Sequence, residues 1–152
     1  MPRPASHLIV HNSTLKIERF AYEVVLEGVP LDIYLDLEAS RLTNPNIDFD
    51  NLFEKLIAEF QMFLKQMSIT GCEQTTLVIL DSSNTKKFSK HVIIRMLESV
   101  FANNYICGAL MRNFHLHLLR RYGEPDKNMF YVHPEEAAVK QKAKKCLLDF
   151  AV

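Results

Sequence analysis

No apolar run in these 152 residues approaches the roughly 18 that a membrane-spanning helix needs, so no such helix is expected. The opening "MPRPASHLIV" has neither the basic start nor the long apolar stretch of a secretory leader, and the expected setting is intracellular. Cysteine is scarce: Cys72, Cys107 and Cys146 are odd in number and share no CxxC spacing. That argues against a disulfide frame or a zinc site and for reduced, partly buried thiols. Nucleophile elbow, P-loop and dinucleotide fingerprint are all missing, as are internal repeats and low-complexity linkers.

What is present is ordinary in amount and uneven in distribution. Apolar residues make up 48% and charged residues 24%, values of a globular domain, and the length suits one core better than two. Net charge is zero, yet residues 1–84 carry 6 basic and 12 acidic side chains and residues 85–152 carry the reverse. Two readings follow: an acidic region and a basic one that meet metal ions and a polyanion, or two halves that attract each other.

Alternation and helical spacing set the element order. "RFAYEVVL" (19–26) and "LDIYLDLE" (31–38) read as paired strands around the turn signal "EGVP". In the second strand Leu31, Ile33, Leu35 and Leu37 take one face, while Asp32, Tyr34, Asp36 and Glu38 take the other. Apolar residues then recur every three or four positions from Phe49 to Met67, predicting an amphipathic helix capped by Asp48 and stopped at Gly71. "TTLVIL" (75–80) and Ser89–Met96 are predicted strands, and Ile106–Tyr122 a second helix closed by Arg120 and Arg121 before Gly123. A strand "MFYVH", a helix "PEEAAVKQKAKK" and a last strand "CLLDFAV" complete the order. The fold class predicted is α+β, a mainly antiparallel sheet of split-βαβ type covered by helices.

Two stretches carry candidate chemistry. Asp36 and Glu38, two apart on a strand, project side by side as hard oxygen ligands suited to Mg²⁺ or Mn²⁺; a solvated strand face has the same pattern. Asp149 lies between Leu148 and Phe150, where an acid is costly to bury unless paired or bound to a cation. In "DSSNTKKFSKHVII" (81–94) Ser89 and His91 share a face about 7 Å apart, beside Lys86 and Lys87. That suits an anion, or simply a strand edge that keeps its polar groups wet. His115 and His117 point different ways from one helix and read as ordinary histidines. The lysines of 140–145 read as a solvated helix face or a phosphate contact.

Taken together, "YLDLE", "DSSNTKKFSKHVII", "FANNYICG" and "LLDFAV" resemble, in order and residue type, the motifs of the eukaryotic primase-polymerase family, within the archaeo-eukaryotic primase superfamily. The specific part is DSS, three variable positions, then Lys87-Phe88-Ser89, a basic residue and His91, followed by Phe101, Asn103, Asn104 and Gly108. The similarity is dense from Phe20 to Arg112, lapses between Tyr122 and Lys145, and returns at the end. It implies an RRM-like sheet within a primase catalytic domain. It implies two divalent ions, Mn²⁺ or Mg²⁺, held by Asp36, Glu38 and Asp149, and a triphosphate held by Lys87, Ser89 and His91. The implied reaction is template-directed nucleotidyl transfer, with nucleoside triphosphates, a single-stranded DNA template and a primer as partners and no membrane. Its implied place is replication restart, damage tolerance and translesion synthesis, in nucleus and mitochondrion.

Departures qualify this. The chain ends three residues after Asp149, before the arginine- and asparagine-bearing stretch the family would continue into, and Ala151 stands where glycine is expected. The family's N-terminal module and cysteine/histidine zinc module have no counterpart. The expectation is therefore one incomplete catalytic domain spanning 1–152. The alternative is a non-catalytic relative, or fragment, that binds nucleotide or single-stranded nucleic acid.

Overall fold

A computed structural model describes residues 26–97, 99–134 and 144–149. Eight elements follow in chain order: β1 (Ile33–Ser40), α1 (Phe49–Gln66), β2 (Thr75–Asp81), β3 (Lys87–Met96), α2 (Asn104–Tyr122), β4 (Tyr131–Val132), β5 (Lys145–Cys146) and β6 (Leu148–Asp149). Four strands form one antiparallel sheet in the order β2-β3-β1-β6, while β4 and β5 pair separately. The α+β class and the antiparallel sheet are as the sequence predicts.

The alternation in β1 decides which face is buried. Ile33, Leu35 and Leu37 have no exposed surface, and their partners across the register, Ile94, Val92 and Lys90, share that face with them. Against it lies α1, whose Leu56, Phe60 and Leu64 are fully buried at helical spacing. Phe49 stacks on Phe88 of β3 at 5.0 Å between centroids, and Phe60 meets Phe114 of α2 edge-on at 4.8 Å. Each fully buried Leu or Phe contributes roughly 1.5–3 kcal/mol over exposure, so this layer is the main source of stability.

Helix caps follow the sequence at Asp48 and Gly123, Asn103 caps α2 where no cap was predicted, and the end of α1 departs from expectation. Asp48 accepts the Asn51 amide at 3.1 Å, Asn103 accepts that of Ile106 at 3.0 Å, and Gly123 closes α2 with φ +86°. The end of α1 is not at Gly71. Ser68 takes the left-handed turn (φ +52°) ahead of Gly71, its amide donating to the Lys65 carbonyl and that of Ile69 to the Leu64 carbonyl, which satisfies carbonyls of the last turn. Gly71 serves another purpose: with φ +82°, a Cβ there would lie 2.4 Å from the Leu97 carbonyl oxygen, so only glycine lets this turn press against the end of β3.

The remaining boundaries are shifts. β3 starts at Lys87 rather than Ser89 because the 82–86 turn feeds the ladder directly, and α2 starts at Asn104, the residue after its cap. The single closing strand divides at Leu147 into two pieces that pair with different partners, and "MFYVH" shortens to two residues. The expected strand at 19–26 (Leu26 apart) and the 135–143 part of the third helix lie outside the described residues.

Every ion pair among the described residues joins an acid from 1–84 to a base from 85–152. The charge asymmetry thus has a folded-state use, since the two halves bind one another.

Candidate functional site

Directly opposed residues of an antiparallel pair share a face, so the β1–β3 register assembles the open side of the sheet. Asp36 is opposite His91, Glu38 opposite Ser89, and Ser40 opposite Lys87. Lys87 Nζ lies 2.8 Å from Glu38 Oε1, with both side chains about two-fifths exposed (39% and 42%). His91 Nε2 lies 3.1 Å from Asp36 Oδ1, and its Nδ1 lies 2.9 Å from the Tyr34 hydroxyl. The Tyr34 hydroxyl thus holds one ring nitrogen by a hydrogen bond, while the other stands within ion-pair distance of the Asp36 carboxylate. Further along the face Arg95 Nε donates to Asp32 at 3.0 Å.

Ser89 sits differently. It is buried, and the "DSSN" stretch folds over it. The Ser82 hydroxyl donates to the Ser89 hydroxyl at 3.1 Å, while the Ser83 hydroxyl accepts the Ser89 amide at 3.0 Å. Asn84 accepts the amides of Lys86 and Lys87 at 2.8 and 2.9 Å. These short polar side chains replace backbone partners in the tight connection, which is the local reason the sequence turns here. The Ser89 hydroxyl is therefore beneath the turn rather than at an open entrance.

Asp149 belongs to β6, whose register sets it across from Asp36, where opposed Cα atoms lie about 4.5–5.5 Å apart. The backbone thus brings Asp36, Glu38, Lys87, Ser89, His91 and Asp149 to three adjacent strands. Among the described residues no group of three or more His, Cys, Asp or Glu side chains is arranged to hold a metal ion.

Electrostatics tie the turn to the helix layer. Lys90 Nζ bridges Asp50 at 3.1 Å and Asp81 at 3.3 Å, and lies 4.7 Å over the Phe53 ring. Burial alone would raise the Asp81 carboxyl, but the Ser83 hydroxyl and amide, with Lys90, outweigh it and hold the carboxyl below its usual range. Burial likewise works to lower the Lys90 ammonium; Asp50 and Asp81 overcome it and raise it. His115 contacts the Tyr131 hydroxyl and His117 donates to Glu59 at 2.7 Å, so both are occupied within the fold. The lysine run at 140–145 is described only from Lys144, which donates to the Asp126 carbonyl.

Two residues gained no role from the sequence reading. Tyr34 orients His91, and alternation already placed it on the acidic face. Ser82 covers Ser89, and its signal was the turn chemistry of consecutive small polar residues.

No family model matches the chain. Curated relatives do. It is 32% identical over 100 residues to the DNA-directed primase/polymerase protein of Bos taurus, covering 62% of this chain and 18% of that protein. For the protein of the same name in Gallus gallus the identity is 34% over 91 residues, covering 60% and 16%. For that of Mus musculus it is 29% over 122 residues, covering 80% and 23%. The chain spans about a fifth of the length of the relatives it matches.

Proposed function

We propose, from a kinship with the eukaryotic primase-polymerase family that these relatives bear out, that the open sheet face is the nucleotidyl-transfer site of a DNA-directed primase/polymerase. The observation that carries the proposal is the β1–β3 register, which brings the two acids of "DLE" against the lysine, serine and histidine of "KFSKH". Neither motif alone distinguishes a site from a solvated strand; an accidental match has no reason to meet residue by residue across one ladder.

Asp36 and Glu38 fit a hard divalent cation. Both are carboxylates on one exposed face, and each stands beside a basic group, Lys87 or His91, that a metal charge can replace. Asp149, across from Asp36, is the third ligand proposed. Mg²⁺ or Mn²⁺ bound there would supply Lewis-acid stabilisation of the reacting phosphate and its leaving pyrophosphate. With their carboxylates so engaged, Lys87 and His91 are released toward a triphosphate. The ammonium contributes a point charge, and the Tyr34 bond keeps the imidazole aimed with Nε2 forward. Ser89 holds the strand under the Ser82–Ser83 turn and reaches phosphate only if Ser82 yields. Template and primer are single-stranded DNA in this reading, the split-βαβ sheet is part of a primase catalytic domain, and the role is replication restart or damage tolerance in nucleus and mitochondrion.

A non-catalytic relative that binds nucleotide is the second reading, favoured by one observation. The acids and bases of the site already neutralise one another, so the face is stable without reacting. Mn²⁺ titration and primer extension on one preparation separate the two. Metal binding with extension supports the enzyme, metal or nucleotide binding without extension supports the second reading, and no binding of either overturns both.

A further inference from the structure

Around the tip of the β2–β3 turn lies a basic corner that the paired residues do not use. Arg41 follows the last residue of β1 and is fixed by its amide, which donates to the Lys86 carbonyl at 2.8 Å. Its guanidinium lies 5.5 Å over the Phe49 ring and 5.8 Å over Phe88, the two rings that stack on each other. Lys87, Lys90, Arg95 and Arg121 each hold a carboxylate; among the described residues Arg41 holds none, and its buried Nε has no hydrogen-bond partner there. The side chain borders a shallow hollow of ≈ 570 Å³ whose other walls are Ser83, Asn84 and Thr85. Exposed Lys86 is next in the same turn and likewise has no carboxylate in ion-pair range among the described residues.

We propose that Arg41, with Lys86 and the Ser83–Thr85 rim, is a phosphate-binding site for the sugar-phosphate backbone of a single nucleic-acid strand, separate from the triphosphate contacts of Lys87 and His91. A guanidinium held near two stacked aromatic rings has less freedom left to lose on binding, and its fork matches phosphate oxygens bidentately. The rim supplies hydroxyl and amide groups and no acid to repel an anion. Strand alternation puts Arg41 on the helix side of β1, whereas Glu38 and Lys87 face the open side. A ligand at Arg41 is thus displaced around the sheet edge from one at Lys87, as successive phosphates of a strand would be. The choice of a nucleic-acid strand over a free phosphate rests on the nucleotidyl-transfer reading.

The test measures binding of a fluorescein-labelled oligothymidylate by anisotropy across a salt series, and of ATP with Mn²⁺ by calorimetry, on the whole 152-residue chain. Arg41→Gln keeps a stem over the phenyl rings and removes the charge; Thr85→Glu puts a carboxylate at the rim without touching the core. Both should weaken oligothymidylate binding about tenfold, the effect of one charge-assisted contact. Arg41→Gln should also make the salt slope shallower by about 0.7, one released counterion on a single strand. Arg41→Lys should keep the slope and lose part of the affinity. ATP binding should be unchanged in all three. Parent-like affinity and slope in Arg41→Gln and Thr85→Glu would overturn the site. So would a loss confined to ATP, which would assign Arg41 to the nucleotide. If Arg41→Gln fails to fold by circular dichroism, Thr85→Glu alone decides. A parent chain that binds ATP but not oligothymidylate refutes this inference and leaves the nucleotide site standing; one that binds neither refutes the nucleotidyl-transfer reading as well.

Discussion

Between the helices and on the open sheet face acids stand against bases, and the two places differ in what surrounds them. Between the helices, Glu59 is only 6% exposed, and both of its oxygens are engaged. His117 donates to Oε1 at 2.7 Å with Arg121 Nε in ion-pair range at 3.0 Å, and the Tyr122 hydroxyl donates to Oε2 at 2.7 Å. On the open sheet face Asp36 and Glu38 are 35% and 42% exposed, with His91 and Lys87 in ion-pair range. A buried carboxylate with every lone pair committed has no capacity for a ligand, and losing it strands its partners. An exposed pair is worth little to the fold and can exchange partners at little cost. The same residue types therefore read as structure in one place and as a candidate site in the other.

The largest test of that contrast is Glu59→Ala. It removes the acceptor that joins α1 to α2, and breaking a buried pair of this kind typically costs several kcal/mol. Arg121 is 48% exposed and can turn into water, so urea unfolding should show a loss of about 2–3 kcal/mol. Asp36→Asn should stay within about 1 kcal/mol of the parent. Equal losses at the two positions would erase the distinction between closed and open networks.

The next effect is on ligand rather than fold. Asp36→Asn and Glu38→Gln should each weaken Mn²⁺ binding at least about tenfold, since even a group one step removed from a metal typically matters that much. Electron paramagnetic resonance of free Mn²⁺ in a titration reads this directly, and Glu59→Gln serves as the control that should leave it unchanged. Wild-type Mn²⁺ affinity in both open-face variants would remove these acids from the metal site.

A smaller change is expected for the bases. Lys87→Ala and His91→Ala should lower nucleotide affinity in the presence of Mn²⁺ about tenfold each, the range of one charge-assisted contact. Removing Lys87 also frees Glu38 from its only ion pair among the described residues, so metal affinity should hold or rise while nucleotide affinity falls. Parallel losses of both would show that Lys87 acts by holding the strand end rather than by meeting phosphate.

Much of this arrangement is legible in the chain because strand alternation has a period of two and one buried face. Ile33, Leu35 and Leu37 fix which way β1 faces, so Asp36 and Glu38 had to point outward together. What alternation does not reveal is register. That Asp36 meets His91 and Glu38 meets Ser89 depends on the length and bonding of the 82–86 turn, a matter of the Ser82, Ser83 and Asn84 side chains. The end of α1 escaped for a similar reason. Glycine is the usual left-handed residue, and here Ser68 takes that conformation while Gly71 is reserved for a close contact with Leu97, a tertiary neighbour far along the chain that the sequence does not display. Glu59 was hidden too: on a helical wheel it is one more charge on an amphipathic helix, and only the approach of α2 turns it inward.

The smallest expected effect concerns His115, a third kind of polar group, half-buried and in contact with the Tyr131 hydroxyl. Burial lowers its pKa below the usual 6.5, so the folded protein favours the neutral ring. Its hydrogen-bond partner Tyr131 stays neutral as well; burial first, then Cys146 and Glu124, push that phenol up to about 12. The sign follows by linkage. Between the lowered folded value and the unfolded value near 6.5 the unfolded chain binds the extra proton, so this group's contribution is present above 6.5 and declines as pH falls through that window. Once pH is below the folded value, the decline is complete. His115→Gln retains a polar side chain without the titration. The stability difference between parent and variant, measured by urea midpoints at about pH 7.5 and pH 5.5, should move against the parent at the acid end. A difference that moves the other way would mean that a nearby negative charge outweighs burial at His115.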